Sequence, residues 1–300
     1  MRNAIAIIGS INQDIIFKVP RLPQKGETLT ADGFVMCGGG KGANQSVQCA
    51  KLGAKTYMAG RVGCDSFGEA LTNNLRNYGV DVSYISRSDS FNTGIGSNQV
   101  LSDGSLYATI VTGANFDMDI SYVDSIEPLL HECKIVVLQM EIPMPVIEET
   151  IRRAKKHDCY VILNAAPAKP IDMQALQLVD CLIVNESEAS FFAGTEIHDV
   201  ESATANVTKL LSLVSGEVII TLGKGGSLLC ERTGNTHFSA DMSVQAVDTT
   251  GAGDSYVGAI AVKTLGGADR KDSCQFASRV ADFAVTRMGA QDGMPSLGEI

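Results

Sequence analysis

The chain has no Cys-x-x-Cys pair and no cysteine–histidine cluster at zinc spacing, although it carries eight cysteines in 300 residues. The usual sequence signs of a structural zinc site are therefore missing, and the thiols read as reduced, mostly small core residues. No apolar run reaches membrane-spanning length. Met1-Arg2-Asn3 leads straight into Ala4–Ile8, which is too short for a signal-peptide core. The expectation is a cytoplasmic protein without a membrane partner. Basic charge is not in excess either: the formal net charge is −10. A nucleic-acid surface normally shows a basic stripe, so nucleic acid is not expected as a partner. A small anionic ligand remains open, because N–H dipoles and local cations can override the global charge. There is no internal repeat, low-complexity tract or long linker. Two nucleotide-binding signatures are also absent. The spacing G-x-x-x-x-G-K-[ST] does not occur, and no G-x-G-x-x-G follows the first strand, which weakens a dinucleotide oxidoreductase reading.

What is present is a chain with 45% hydrophobic and 19% charged residues, enough to bury a large core in one large domain or two small ones. Short apolar runs at Ala4–Ile8, Lys55–Ala59, Ile135–Leu138, Tyr160–Leu163, Cys181–Val184 and Glu217–Thr221 read as buried strands. Helix-period stretches lie between them, at Ala43–Leu52, Phe67–Tyr78, Val146–His157 and Ala203–Leu213. Two more helical patterns close the chain, near Ala252–Leu265 and Asp272–Thr286. This alternation predicts a mostly parallel sheet with helices on both faces. Four pieces break the rule: Gln13–Val19 and Ala31–Met36, then Asn92–Val100 and Ser105–Val111 around the turn Ser102-Asp103-Gly104. They read as antiparallel and as a small separate sheet, serving as a lid or a dimer surface.

Five polar or glycine-rich segments fall at the carboxyl ends of predicted strands, the edge where open α/β sheets bind ligands. Asn12 and Asp14 are spaced to grip a diol from an extended segment, though a polar loop reads equally well. Gly38-Gly39-Gly40-Lys41-Gly42-Ala43-Asn44-Gln45 lets a ligand approach the backbone, with Lys41 and Asn44 as donors to hydroxyls, or serves only as a turn. Glu141 follows one strand. Asn185 and Glu188 follow another, where they either cap a helix or steer hydrated Mg²⁺ beside nucleotide phosphates. Thr221-Leu222-Gly223-Lys224-Gly225-Gly226 ends a further strand and turns toward Ser227–Cys230. The most informative stretch is Asp248-Thr249-Thr250-Gly251-Ala252-Gly253-Asp254-Ser255. It places glycines and carboxylates at a helix start, where N–H groups attract an anion. A carboxylate there can take a proton from a hydroxyl as it attacks phosphate.

These residues carry a resemblance to the PfkB family of carbohydrate kinases. Gly39–Gln45 resembles its sugar-side signature, Asp248–Asp254 its second signature and Asn185-Glu186-Ser187-Glu188 its N-x-x-E motif. Ala284–Gln291 resembles the closing segment of the family's ribose-specific members. The resemblance runs from Ile5 to the chain's end. It implies a single kinase domain over residues 1–300, a doubly wound, mostly parallel sheet flanked by helices. It also implies a small β-sheet lid from about 13–36 and 92–111, pairing with a second lid in a homodimer. The implied reaction is ATP-dependent phosphorylation of the 5-hydroxyl of D-ribose. Asn12, Asp14, Gly40, Lys41, Gly42, Ala43, Asn44 and Glu141 would hold the sugar, with Asp254 as general base. Gly251, Ala252 and Gly253 would form the anion hole. Asn185, Thr221, Leu222, Gly223, Lys224, Gly225, Gly226, Gly253, Asp254 and Ser278 would lie along ATP, with Mg²⁺ held through water by Asn185 and Glu188. Asp248, Thr250, Ala284, Arg287, Gly289 and Gly293 would hold K⁺, although Ser is common where this chain has Gly293. The rival readings are a kinase of another small sugar, such as deoxyribose or a nucleoside, and a catalytically silent sugar- or nucleotide-binding regulator.

Overall fold

The computed structural model describes residues 2–101, 105–239 and 244–300. The chain begins β1 (Ile5–Ile8), β2 (Asn12–Val19), β3 (Gly33–Gly39), α1 (Lys41–Lys51), β4 (Thr56–Gly63) and α2 (Ser66–Asn77). It continues β5 (Asp81–Ser88), β6 (Gly94–Leu101), β7 (Leu106–Val111), α3 (Ile120–Glu132), β8 (Ile135–Gln139) and α4 (Met144–Lys156). Next come β9 (Tyr160–Asn164), α5 (Met173–Leu176), β10 (Cys181–Asn185), α6 (Glu186–Ala193), α7 (Val200–Leu211) and β11 (Glu217–Thr221). It ends β12 (Ser227–Glu231), β13 (Gly234–Phe238), α8 (Ala252–Leu265), α9 (Arg270–Ala284) and α10 (Ala290–Gly293).

Nine strands form the main sheet in the order β13-β12-β11-β10-β9-β8-β1-β4-β5. From β5 to β11 every pairing is parallel, and β12 and β13 add an antiparallel edge. The strands are apolar almost throughout because both faces are covered. Ala6, Ile8, Val136, Leu138, Leu182 and Val184 pack in one core with α3, α4 and α7. Their alternates Ile5, Ile7, Ile135, Val137, Cys181 and Ile183 pack in the other with α1, α2, α8 and α9. The period-2 alternation of a strand makes this division. All eight cysteines are free thiols, six of them buried.

The second sheet has four strands in the order β3-β2-β6-β7. Its two hairpin pairs are antiparallel, as expected, but the central pair β2–β6 is parallel. That corrects the expectation of an antiparallel set. The reason is topological: β2 and β6 each leave the main sheet in the same direction and are joined by a long crossover, not by a turn. The turn at 102–104 lies outside the described residues. The structure also adds β5, β13 and α3, and extends β4 from Ala59 to Gly63. No helix among the described residues is long and apolar enough to cross a membrane.

Candidate active site

The small sheet meets the main one where β1 runs into β2, and this junction brings together the residues expected on the sugar side. Asn12 and Asp14 sit within β2 itself, on one face, two residues apart. The Asn12 Oδ1 accepts from Asn115 Nδ2 at 2.7 Å, and Asn115 Oδ1 accepts from the Ile11 N–H at 2.9 Å. Asp14 lies between Gly39 of β3 and Gly96 of β6. A Cβ on either glycine would come within 2.2 Å of its carboxylate oxygens. Neither neighbour tolerates a side chain while the carboxylate holds this place. Glu141, just past β8, accepts from Ser10 Oγ at 2.5 Å and from the Lys41 N–H at 3.1 Å. Gly42 and Ala43 are buried in the first turn of α1, where the Ala43 N–H donates to Ser10 O at 2.9 Å.

Asp254 stands in the first turn of α8, buried. Asn44 Nδ2 and Gln45 Nε2 donate to its two oxygens, each at 2.9 Å. An ionised carboxylate only accepts, so both amides must present nitrogen to it. Their carbonyl oxygens then need donors, and have them. Gln139 Nε2 donates to Gln45 Oε1 at 2.7 Å and Gln291 Nε2 to Asn44 Oδ1 at 3.0 Å. Asn74 Nδ2 in turn donates to Gln291 Oε1 at 2.9 Å. Two one-directional amide chains therefore end on one carboxylate.

Gly251 opens α8 with φ +80°, a left-handed conformation that glycine adopts without strain. The Ala252 N–H turns onto Thr249 O at 3.3 Å. Gly251, Gly253 and Asp254 line a cavity of about 240 Å³ together with Lys41, Asn185, Glu188 and Thr221. Asn185 and Glu188 form a reciprocal cap: each side chain accepts from the other's backbone N–H at 2.9 Å. The capping reading is thus fulfilled, and both residues still line the cavity. Beyond Thr221, Leu222 is buried and the turn at Gly223–Gly225 is exposed, with Lys224 at its tip and Gly226 closing it. Ser278 sits half-buried on α9, outside the lining of this cavity.

Next to the α8 start, Asp248 Oδ1 accepts from the Thr250 N–H and Oδ2 from the Gly289 N–H, both at 2.9 Å. A Cβ on Gly293 would lie 3.3 Å from Arg287 O and 3.4 Å from Ala284 O. The six residues expected around a cation therefore come together from the segment before α8 and from the stretch between the ends of α9 and α10, and a side chain at Gly293 would meet carbonyl oxygens.

The family model for pfkB family carbohydrate kinases matches residues 2–297. The chain belongs to that family. This kinase is 34% identical to a ribokinase of Schizosaccharomyces pombe, over 99% of its own chain and 96% of the relative. It is 33% identical to a deoxyribokinase of Salmonella typhimurium, covering 98% and 96%. A solved structure of Arabidopsis thaliana ribokinase complexed with ribose and ATP superposes with TM-score 0.92 at 33% identity, over 99% and 97% of the two chains.

The kinase gathers three carboxylates, Asp14, Glu141 and Asp254, close enough for the last two to act on the first. Burial, then the charges of Glu141 and Asp254, push Asp14 up to about 7. Burial works against the charge on Lys41, but Asp254, Glu141 and Glu188 outweigh it and leave its pKa raised. Burial also raises Glu188, against the N–H bond from Asn185 and the charge of Lys41. Sequence reading missed Ser10, Asn115, Gln139, Asn164 and Gln291. Asn164 ends β9 and Gln139 ends β8, so the strand-end rule that found Glu141 reaches both.

Proposed function

We propose that this kinase transfers the γ-phosphoryl group of ATP to the 5-hydroxyl of D-ribose, giving D-ribose 5-phosphate and ADP. The observation that carries the reading is Asp254, a buried carboxylate held by two amide donors and lining the same cavity as the glycines that start α8. Asn12, Asp14 and Glu141 orient the sugar hydroxyls, with Gly40, Lys41 and Asn44 closing the other side. Asp254 takes the proton of the attacking hydroxyl. The first-turn N–H groups of α8, with its dipole, meet the charge on the phosphoryl oxygens. Lys41 sits where it neutralises charge between donor and acceptor. Positioning and electrostatics are what phosphoryl transfer requires of a protein.

Two cations belong to this reading. The oxygen of Glu188 that does not cap α6 fits hydrated Mg²⁺, a hard ion that keeps its waters. When bound it offsets phosphate charge, and Asn185 and Glu188 would hold it through water. The all-oxygen surroundings at Ala284, Arg287 and Gly293 fit K⁺, with Asp248, Thr250 and Gly289 completing the set. The loss of one hydroxyl at Gly293 leaves backbone carbonyls as the principal ligands. The Thr221–Gly226 turn and Ser278 lie along the nucleotide. The free thiols and the need for ATP both fit a reducing, cytoplasmic setting. The small sheet acts as a lid and pairs with that of a second copy.

The rival reading is 2-deoxyribose as preferred substrate, favoured by the similarity to a deoxyribokinase. ADP release measured with ribose, 2-deoxyribose and nucleosides, with and without K⁺ at constant ionic strength, separates the two. The highest kcat/KM on ribose and a rise with K⁺ are expected. Sugar binding with no ADP release on any substrate would establish the regulator instead.

A further inference from the structure

The chain has four histidines, and two of them meet far from the active site. His131 lies in the last turn of α3, and His157 caps the C-terminus of α4. Their ring centroids are 3.9 Å apart. Glu127, one helical turn before His131 and so on the same face, bonds His157 Nε2 through its Oε1. One ligand atom from each of the three lies within 4.8 Å of the others. Arg153 holds the other oxygen of Glu127 at 3.0 Å, and Asp124 and Glu149 balance Arg153. Arg2 faces the cluster too, but donates to the His157 carbonyl.

Three potential ligand atoms on two helix ends are thus already gathered in one place, and imidazole nitrogen is the commonest protein ligand for such metals. We propose that Glu127, His131 and His157 form a surface site for a borderline first-row divalent cation, of which Zn²⁺ is the type. Two imidazoles with one carboxylate suit zinc and not the harder Mg²⁺ or Ca²⁺, which take oxygen sets. Zinc bonds of about 2.0–2.2 Å require His157 and Glu127 to part slightly and the exposed His131 ring to turn in. Water takes the remaining position. Arg153 orients the carboxylate from behind, as outer partners do in metal sites.

The ion would clip the C-terminal ends of α3 and α4 together. Those ends lead into the starts of β8 and β9, whereas Glu141 follows the end of β8. The length of β8, about 17 Å, therefore separates the clip from the sugar side. Its role is stability, not phosphoryl transfer.

Calorimetric titration of the metal-free enzyme with ZnCl₂, paired with thermal melts, tests this. One Zn²⁺ per chain and a Tm rise of roughly 3–6 °C at saturation are expected, because an ion that binds only the native state stabilises it. His131→Ala removes an exposed side chain, so it should keep the metal-free Tm while weakening zinc at least 10-fold. The His131→Ala/His157→Ala pair should abolish binding. No heat and no Tm rise in the wild type would overturn the proposal. So would undiminished binding in the double variant, which would move the zinc elsewhere, to a thiol such as the exposed Cys64.

Discussion

Under the proposed function, Asp14 sets sugar binding against stability in a single side chain. Its carboxyl sits near pH 7 in the folded enzyme against a usual 3.8, through burial and then the charges of Glu141 and Asp254. The folded state therefore holds that proton more tightly than the unfolded chain. The stability this contributes is complete below pH 3.8 and is lost as pH rises through 7. At pH 8 the free enzyme carries a buried, crowded carboxylate, the form the proposed function needs to accept sugar hydroxyls. Asp14→Asn should thus raise Tm at pH 8, with the gain fading toward pH 4, and should raise the KM for ribose about 10–100-fold. Scanning calorimetry across that range reads the first effect, and equal melting at pH 8 would count against the argument. Asp254 makes a different prediction. Asp254→Asn should retain the fold and ATP affinity but lose about 10²–10⁴ in kcat. Near wild-type turnover would sink its role as base.

At the scale of elements, α10 is a four-residue strut with an effect larger than its size. Its Gln291 joins Asn74 of α2 to Asn44 of α1, and through Asn44 reaches Asp254 of α8. Gln291→Glu has the same shape but no donor for Asn44. The charged form accepts from the Asn44 amide instead, turning its oxygen toward Asp254. kcat should fall about 10-fold or more with the KM for ATP unchanged, and the loss should shrink as pH falls and the introduced carboxylate regains a proton to donate. A deficit that ignores pH would mean that Gln291 only fills space. Such cross-links are what the sequence hides. The parallel strands were legible because each is a short apolar run buried on both faces, as Ile5–Ile8 and Ile135–Leu138 are. Likewise α8 was legible to the residue, since Gly251 and the following apolar run mark its start. By contrast β5 and β13 carry polar residues at a sheet edge and lack that signal. The parallel β2–β6 pairing and the approach of Gln291 to Asn44 depend on contacts distant in the chain, which no local pattern encodes.

For the whole molecule, the small sheet sets the remaining question. One face carries Asn12 and Asp14, the residues proposed to hold the sugar. The alternate residues project from the other face, where Phe17 pairs with Phe34 at a 6.4 Å ring separation. On that outer face Phe34, Met36, Tyr107 and Val111 are 63, 44, 49 and 56% exposed. A face with large apolar side chains exposed along both of its edge strands, and Ser97 and Gln99 between them, is costly to leave in water. It also offers unpaired outer edges on β3 and β7. A second copy related by twofold symmetry would cover the same face on both partners at once, because an isologous contact needs only one self-complementary surface. Light scattering behind size exclusion should then give a dimer for the native kinase. Phe34→Asp with Tyr107→Asp should give a monomer, since each charge would be buried against its symmetry mate. If the lid depends on its partner for rigidity, the monomer should also show a raised KM for ribose while its Tm, set by the main sheet, changes little. A native kinase that stays monomeric at tens of micromolar, where a stable dimer would be saturated, would leave the patch serving only lid closure.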